Sequence, residues 1–344
     1  MRKCFLTGLV VAVICGQLCS DGSGAAQEPR AESTDRIFPD YVRLLKQLGP
    51  AFAAHRTEHF ALVHCGDGAW AQATGQLLER VHEEFYRAFA PATFALQSVR
   101  GPLPWVYFAR QSDFTDYAFS ADGMDMSWLD SYYSGRTNVV ALVKARLTEP
   151  SANGPAVAVP ASLVQSPDGK WTTDAVQQAD ATRLTHEAAH QISFNSGLLK
   201  RGVMYPLWAT EGLATNFEAD SSGRFGLGRP NIARCRRMIE ARDGGRLLSL
   251  DALVTLARVP SADCEMTNDL YAQNWALFAF LFQRHRPALA AYLRSASQLQ
   301  PGRRDCTAML NDFQNAFGPI EPLRAEWDKF VSSLSLTEML AASR

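Results

Sequence analysis

An α+β fold is expected for this chain, with a small mixed sheet packed on a histidine-bearing helix and a mainly helical subdomain after it. Short apolar runs typical of strands occur in the first half, at residues 59–64, 105–108 and 138–143. Beyond residue 206 the apolar residues recur at helical spacing almost throughout. Strands followed by helices are typical of the α+β class.

Residues 1–26 are predicted to be a signal peptide. Arg2 and Lys3 precede an apolar run over residues 4–15, and the small residues Ala25 and Ala26 suit cleavage after either of them. The apolar run is shorter than the roughly 20 residues that span a bilayer, which argues against an uncleaved anchor. We therefore expect a secreted or periplasmic protein with no membrane span in the mature chain.

The remaining chain divides into four segments by composition and periodicity. Residues 27–35 are small and polar, and are expected to be a flexible lead-in. Residues 36–150 contain the strand-like runs and an amphipathic helical pattern over 70–89, and are expected to form an N-terminal α/β lobe. Residues 151–174 are rich in Pro, Ser, Ala and Gly and predict a loop. Residues 175–344 are expected to carry the histidine-bearing helix and the helical C-terminal subdomain.

Composition narrows the classes of function. The 344 residues are 47% hydrophobic and 20% charged, with 34 Lys and Arg against 35 Asp and Glu. Such an apolar content is typical of a folded chain and not of a disordered one. No basic excess or basic stripe is present, so no nucleic-acid partner is expected.

Four cysteines would remain after removal of the signal peptide: Cys65, Cys235, Cys264 and Cys306. In an oxidising compartment they could form two disulfides, with three possible pairings. Their spacings include no C-x-x-C pair, so they do not predict a zinc cluster.

An H-E-A-A-H motif at residues 186–190 predicts a metal-binding site. Because an α-helix has 3.6 residues per turn, His186 and His190 lie on the same face and can bind one cation. Glu187 projects beside them, where it could take a proton from a zinc-activated water without being a ligand. The alternative interpretation is a solvated helix face with two ordinary histidines.

A second motif, after the H-E-A-A-H motif, is predicted to supply the third metal ligand. The segment W-A-T-E-G-L-A at residues 208–214 follows Pro206 and predicts a helix on which Glu211 completes a His-His-Glu zinc site. Two helical turns further on, Glu218 returns to nearly the same face. It could accept a hydrogen bond from a ligating imidazole and fix its tautomer. The alternative is an exposed helix glutamate.

H-E-A-A-H followed by W-x-x-E-G-L-A resembles the gluzincin zinc metallopeptidases, which have a peptidase MA-like core. The closer resemblance is to a bacterial domain-of-unknown-function family with that core, over residues from about 57 to 335. In such relatives a tyrosine opens a later helix, and here that block begins at Tyr271. The resemblance implies that Tyr271 donates a hydrogen bond to the oxyanion. The alternative is a helix-start tyrosine half-buried against the core.

The resemblance implies a secreted zinc-dependent metallopeptidase that hydrolyses bonds in a peptide or protein substrate. The interval from His190 to Glu211 is slightly longer than in the aminopeptidase branch, and no counterpart of the motif that grips a substrate amino terminus is found, so exopeptidase action is not implied. Two alternatives stay open, a zinc-containing binding or scaffold module without turnover, and a zinc hydrolase of a non-peptide amide. Glu187 favours an enzyme, because a structural zinc site needs no base beside an open position.

Two further interpretations concern parts of the chain outside this motif. Residues 138–143 are expected to form the sheet edge on which an extended peptide pairs through main-chain groups. The basic run at residues 234–237 is interpreted as a solvated helix face.

Overall fold

The computed structural model describes residues 12–14, 41–66, 68–89, 91–143, 178–220, 223–260, 264–337 and 339. The predicted lead-in at 27–35, the predicted loop at 151–174 and most of the predicted signal peptide lie outside these residues. The described chain has the expected α+β class, with a small mixed sheet and many helices.

The strands are short and come early in the chain. They are β1 (Ala12–Ile14), β2 (Ala53–Arg56), β3 (Phe60–His64), β4 (Leu103–Phe108), β5 (Ser131–Ser134) and β6 (Val140–Val143). The order across the sheet is β1-β5-β6-β4-β3-β2. The pairs β3–β4, β4–β6 and β1–β5 are parallel, whereas β2–β3 and β5–β6 are antiparallel. All residues of β3, β4 and β6 are buried, which explains their continuous apolar runs.

The expectation that residues 138–143 form the sheet edge is wrong. Strand β6 lies between β4 and β5, and β5 is the outermost strand on that side among residues 53–143. Strand β1, which falls within the predicted signal peptide, pairs with the outer side of β5. The chain turns from β5 into β6 through Asn138, whose φ of 59° is in the left-handed region that asparagine tolerates.

Helices make up most of the remaining described chain. They are α1 (Tyr41–Leu48), α2 (Gly68–Phe89), α3 (Pro91–Phe94), α4 (Gln111–Asp122), α5 (Gln178–Asn195), α6 (Leu207–Thr215), α7 (Ile232–Asp243), α8 (Leu250–Thr255), α9 (Cys264–Arg284), α10 (Arg286–Ser297), α11 (Cys306–Phe317) and α12 (Ile320–Ser333). Helix α2 confirms the amphipathic pattern predicted over residues 70–89. None of the helices in the described ranges is both long enough and apolar enough to cross a bilayer.

One hydrophobic core joins the sheet to the helices of the second half. Trp105 of β4, Ile192 of α5, Leu213 of α6 and Phe278 of α9 belong to the same buried cluster. Alternate strand residues such as Val106 face a smaller cluster against α1 and α4 on the other side of the sheet. Helix α5, which carries the H-E-A-A-H motif, therefore lies in the main core, on one face of the sheet.

The two disulfides that the four cysteines could form are not present. Cys65, Cys235 and Cys306 are free thiols, and two bridges would need all four cysteines. Cys235 is fully buried in the main core, where it packs as a small apolar residue.

Candidate metal centre

Three side chains from two helices converge at the centre of the core. His186 and His190 lie on α5, as the motif predicted, and Glu211 lies on α6. The Nε2 atoms of His186 and His190 are 3.0 Å apart. Oε2 of Glu211 lies 3.4 Å from Nε2 of His186 and 3.5 Å from Nε2 of His190. Within the described ranges these three form the group of side chains that could hold a metal ion.

The spacing of these atoms fits a tetrahedral metal ion. Ligand atoms at about 2.0–2.1 Å from a tetrahedral zinc are separated from each other by about 3.3 Å. Glu211 is 2% exposed, and its Oε2 has no hydrogen-bond partner among the described residues. A buried carboxylate oxygen without a donor is costly unless a cation binds it. The donor set and its burial therefore fit a bound metal ion.

Helix α5 is fixed to the sheet by the residue that follows His190. Gln191 accepts a hydrogen bond from Trp105 Nε1 at 2.7 Å. Its amide donates to the carbonyl oxygens of Pro104 and Asn138 at 3.1 and 2.9 Å. Because these partners belong to, or adjoin, β4 and β6, the network sets the position of both histidines relative to the sheet.

Helix α6 approaches α9 so closely that only glycine fits at the crossing. A Cβ atom at Gly212 would lie 2.4 Å from the carbonyl oxygen of Asn274 and 3.1 Å from Cβ of Phe278. Asn216 fixes the same crossing, since its amide donates to Gly212 O at 2.7 Å and to Trp275 O at 3.0 Å. This contact brings Glu211 close to the middle of α9.

Glu218 contacts the metal-site histidine, but from a different backbone position than predicted. Helix α6 ends at Thr215, so Glu218 lies in the segment after the helix and not two helical turns along it. Its Oε1 lies 3.1 Å from Nδ1 of His186, the ring nitrogen that faces away from Glu211. The alternative of an exposed glutamate is wrong, because Glu218 is 7% exposed.

Arg234 is a residue of the centre that the sequence interpretation missed. It is 8% exposed, and it donates to both oxygens of Glu218, from Nε at 2.8 Å and from Nη2 at 2.5 Å. The interpretation of residues 234–237 as a solvated face is therefore wrong for Arg234. A signal was present, since Arg234, Met238 and Ala241 follow helical spacing and form the buried face of α7.

Tyr271 completes the wall of the centre opposite α5. It is 2% exposed, its ring centroid is 6.4 Å from that of His186, and the Arg234 guanidinium carbon lies 5.4 Å from its ring centroid. The expectation that it opens a helix is wrong, because α9 begins at Cys264, about two turns earlier. Tyr271 is fully packed in the centre and is not the half-buried residue of the alternative interpretation.

Residues 180–302 match the family described as "Protein of unknown function (DUF1570)". The finding agrees with the expected resemblance to a bacterial family of unknown function. A search of curated proteins found no match to the chain. The DUF1570 region runs from α5 to the residues after α10. It contains the three candidate ligands and the side chains packed against them, namely His186, His190, Glu211, Glu218, Arg234 and Tyr271.

Glu187 follows His186 on α5 and lies beside the candidate ligands. It is 1% exposed, and neither carboxylate oxygen has a hydrogen-bond partner in the described part of the chain. Burial, assisted by the charge of Glu211, raises the pKa of Glu187 to about 7, against the opposing charge of His186. The side chain is therefore next to the ligands without being held as a structural ion pair.

The other two carboxyl groups of the centre, those of Glu211 and Glu218, are held in their charged forms. Burial acts to raise the pKa of Glu211, but His190 and His186 lower it to about 2. Burial also opposes ionisation of Glu218, whereas Arg234 and His186 lower its pKa to about 2. Burial and the charge of Glu211 raise the pKa of Tyr271 well above its usual value, so its hydroxyl remains a donor.

Proposed function

We propose that this protein is a zinc-dependent metallopeptidase that hydrolyses peptide bonds in a peptide or protein substrate. The observation that carries the proposal is the convergence of two imidazole nitrogens and one carboxylate oxygen at 3.0–3.5 Å. Two neutral nitrogens and one carboxylate are a ligand set of catalytic zinc sites, which keep a fourth position open. When bound, zinc would polarise the substrate carbonyl and make water a stronger nucleophile.

Glu187 is proposed as the general base and then the general acid. Its carboxylate takes a proton from the attacking water and delivers it to the nitrogen of the departing amine, so that one water is consumed per bond. A zinc site that served structure alone would be closed by four protein ligands and would need no base beside it. The buried and unpaired carboxylate of Glu187 beside them supports an enzyme over a scaffold module.

Tyr271 is proposed to stabilise the oxygen that gains negative charge when water attacks the carbonyl. Its raised pKa keeps the phenol protonated, and its hydroxyl lies close enough to Glu211 for the two groups to interact. A neutral donor fixed in a buried site stabilises a developing oxyanion without reorganisation.

Strand β5 is proposed as the surface on which the substrate pairs. Ser131, at its start, is near Glu187, and the preceding carbonyl of Asp130 accepts a hydrogen bond from Arg183 of α5 at 2.8 Å. An extended peptide added to β5 would therefore pass the proposed base. Because β1 occupies this edge, removal of the proposed signal peptide during secretion would expose it.

The test combines metal analysis with digestion of a mixed peptide library, read by mass spectrometry. The wild-type protein is expected to hold about one zinc per chain and to cleave peptides in a reaction that EDTA abolishes and zinc restores. Glu187→Gln is expected to keep the zinc and to lose about 10²–10⁴-fold in kcat.

Glu83→Gln serves as the matched control, because Glu83 is an exposed glutamate on α2. It should retain both the zinc and the activity. A protein without bound metal, or equal turnover by Glu187→Gln, would refute the proposal. Cleavage of non-peptide amides with no cleavage of peptides would assign the site to a different hydrolase.

A further inference from the structure

We propose that Arg234 is a positioning residue of the metal centre, which holds Glu218 against the ligand His186 and supports the ring of Tyr271. This inference rests on the proposed function, because it assigns a role relative to the zinc ligands. Arg234 is a buried arginine on α7, a helix that carries none of the three candidate ligands.

Arg234 fixes the geometry of the Glu218 carboxylate. Arg234 donates from Nε to Oε2 of Glu218 at 2.8 Å and from Nη2 to Oε1 at 2.5 Å. The amide of Asn231 donates to Oε2 at 3.1 Å. A two-point contact between a planar guanidinium and a carboxylate fixes the plane of the carboxylate as well as its distance. Arg234 therefore determines where Oε1 of Glu218 lies.

The carboxylate of Glu218 in turn orients the imidazole of His186. Oε1 of Glu218, the oxygen held by Nη2 of Arg234, lies 3.1 Å from Nδ1 of His186. A neutral imidazole that donates from Nδ1 to this carboxylate leaves the lone pair on Nε2, the atom that faces Glu211 and His190. Nδ1 of His190 has no hydrogen-bond partner among the described residues. The support is therefore specific to one of the two histidines.

Arg234 also balances the charge of the buried carboxyl groups. Glu187, Glu211 and Glu218 place three carboxyl groups in the same buried region, and each is less than one-tenth exposed. When all three are ionised, a divalent cation balances two of them and Arg234 balances the third. Removal of the guanidinium would leave Glu218 as a buried carboxylate without its cationic partner, which is strongly unfavourable.

Arg234 also contacts the ring of Tyr271. The guanidinium carbon lies 5.4 Å from the centroid of the Tyr271 ring, within the range of a cation–π interaction. One side chain thus contacts the carboxylate behind His186 and the face of the proposed oxyanion donor. Lysine could supply the charge but neither the planar two-point contact nor the stacked face.

The experiment measures zinc affinity by competition with a chelator, independently of turnover. Arg234→Met and Glu218→Gln are each expected to weaken zinc binding about 10–100-fold, the usual effect of removing a group that orients a ligand. The double variant should be no weaker than Glu218→Gln, because Arg234 acts through Glu218. Arg234→Lys should fall between wild type and Arg234→Met.

Arg236→Met is the matched control, since Arg236 is exposed on the same helix and should leave the affinity unchanged. Wild-type affinity in Arg234→Met would overturn the inference, as would effects that multiply in the double variant. If Arg234→Met does not fold, wild-type affinity in Arg234→Lys would overturn it instead. If the wild-type protein binds no zinc, both this inference and the proposed function are refuted. If the wild-type protein binds zinc and the Arg234 variants bind it equally well, only this inference is refuted.

Discussion

Tyr271 is the residue whose proposed role depends most directly on a single atom, its hydroxyl oxygen. It is almost fully buried beside Glu211, and its raised pKa keeps it a donor. Removal of one oxyanion donor from an enzyme costs about 10²–10³-fold in kcat. We therefore expect Tyr271→Phe to lower kcat by this factor, with zinc content retained and KM little changed, as measured by steady-state kinetics and metal analysis.

Tyr86→Phe is the comparison for that experiment, because its hydroxyl donates to Gln97 O outside the metal centre. It should keep wild-type kcat. If Tyr271→Phe turns over as fast as wild type, the tyrosine has only a packing role.

The sequence predicted the metal centre best where the contacts are local. The spacing of His186 and His190 follows directly from helix geometry, and both side chains lie where the motif places them. Arg234 was missed because its partner, Glu218, is 16 residues away and reaches it only after the chain has folded. The available clue was a charged residue at a position of α7 that helical spacing assigns to the buried face.

At the scale of elements, the crossing of α6 and α9 is the contact on which the centre depends. Gly212 allows it, because a Cβ there would meet the Asn274 carbonyl at 2.4 Å. We expect Gly212→Ala to lower the free energy of unfolding by about 1–3 kcal/mol, the usual cost of overpacking, in a urea denaturation series.

Gly68→Ala is the matched control, because Gly68 begins α2 with open space around its Cα and no positive φ. It should change stability by less than about 0.5 kcal/mol or stabilise slightly. Equal stability of both variants would mean that α6 and α9 can separate without cost.

The element-scale errors of the sequence analysis share one physical cause. Residues 138–143 are apolar and were expected at the sheet edge, yet β6 is an inner strand. Strand β5 has the sequence SYYS, which gives little apolar signal although all four residues are buried. Strand order depends on which segments pair, and pairing is set by the whole fold and not by local composition.

At the scale of the whole molecule, metal binding is expected to stabilise the fold, because the ligands are brought together only in the folded chain. A free metal concentration about 1,000 times the Kd adds about 4 kcal/mol of stability. We expect EDTA to lower Tm by several degrees and added zinc to restore it, as followed by calorimetry.

His190→Ala should abolish this response to EDTA, whereas His82→Ala, a change outside the centre, should retain it. A wild-type Tm that is the same with bound zinc and after its removal would contradict the expected coupling between metal and fold.

The hydrogen bonds of Gln191 on α5 show which part of the chain must fold together with the metal centre. The DUF1570 region begins at residue 180, yet Trp105, Pro104 and Asn138, which hold Gln191, all precede it. The region matched by the family, residues 180–302, is therefore shorter than the part of the chain that must fold as one unit. A fragment that begins at residue 180 would keep the three candidate ligands but lose the strands that hold α5 in position. We therefore expect such a fragment to bind metal poorly, so that the metal centre requires the sheet as well as its own helices.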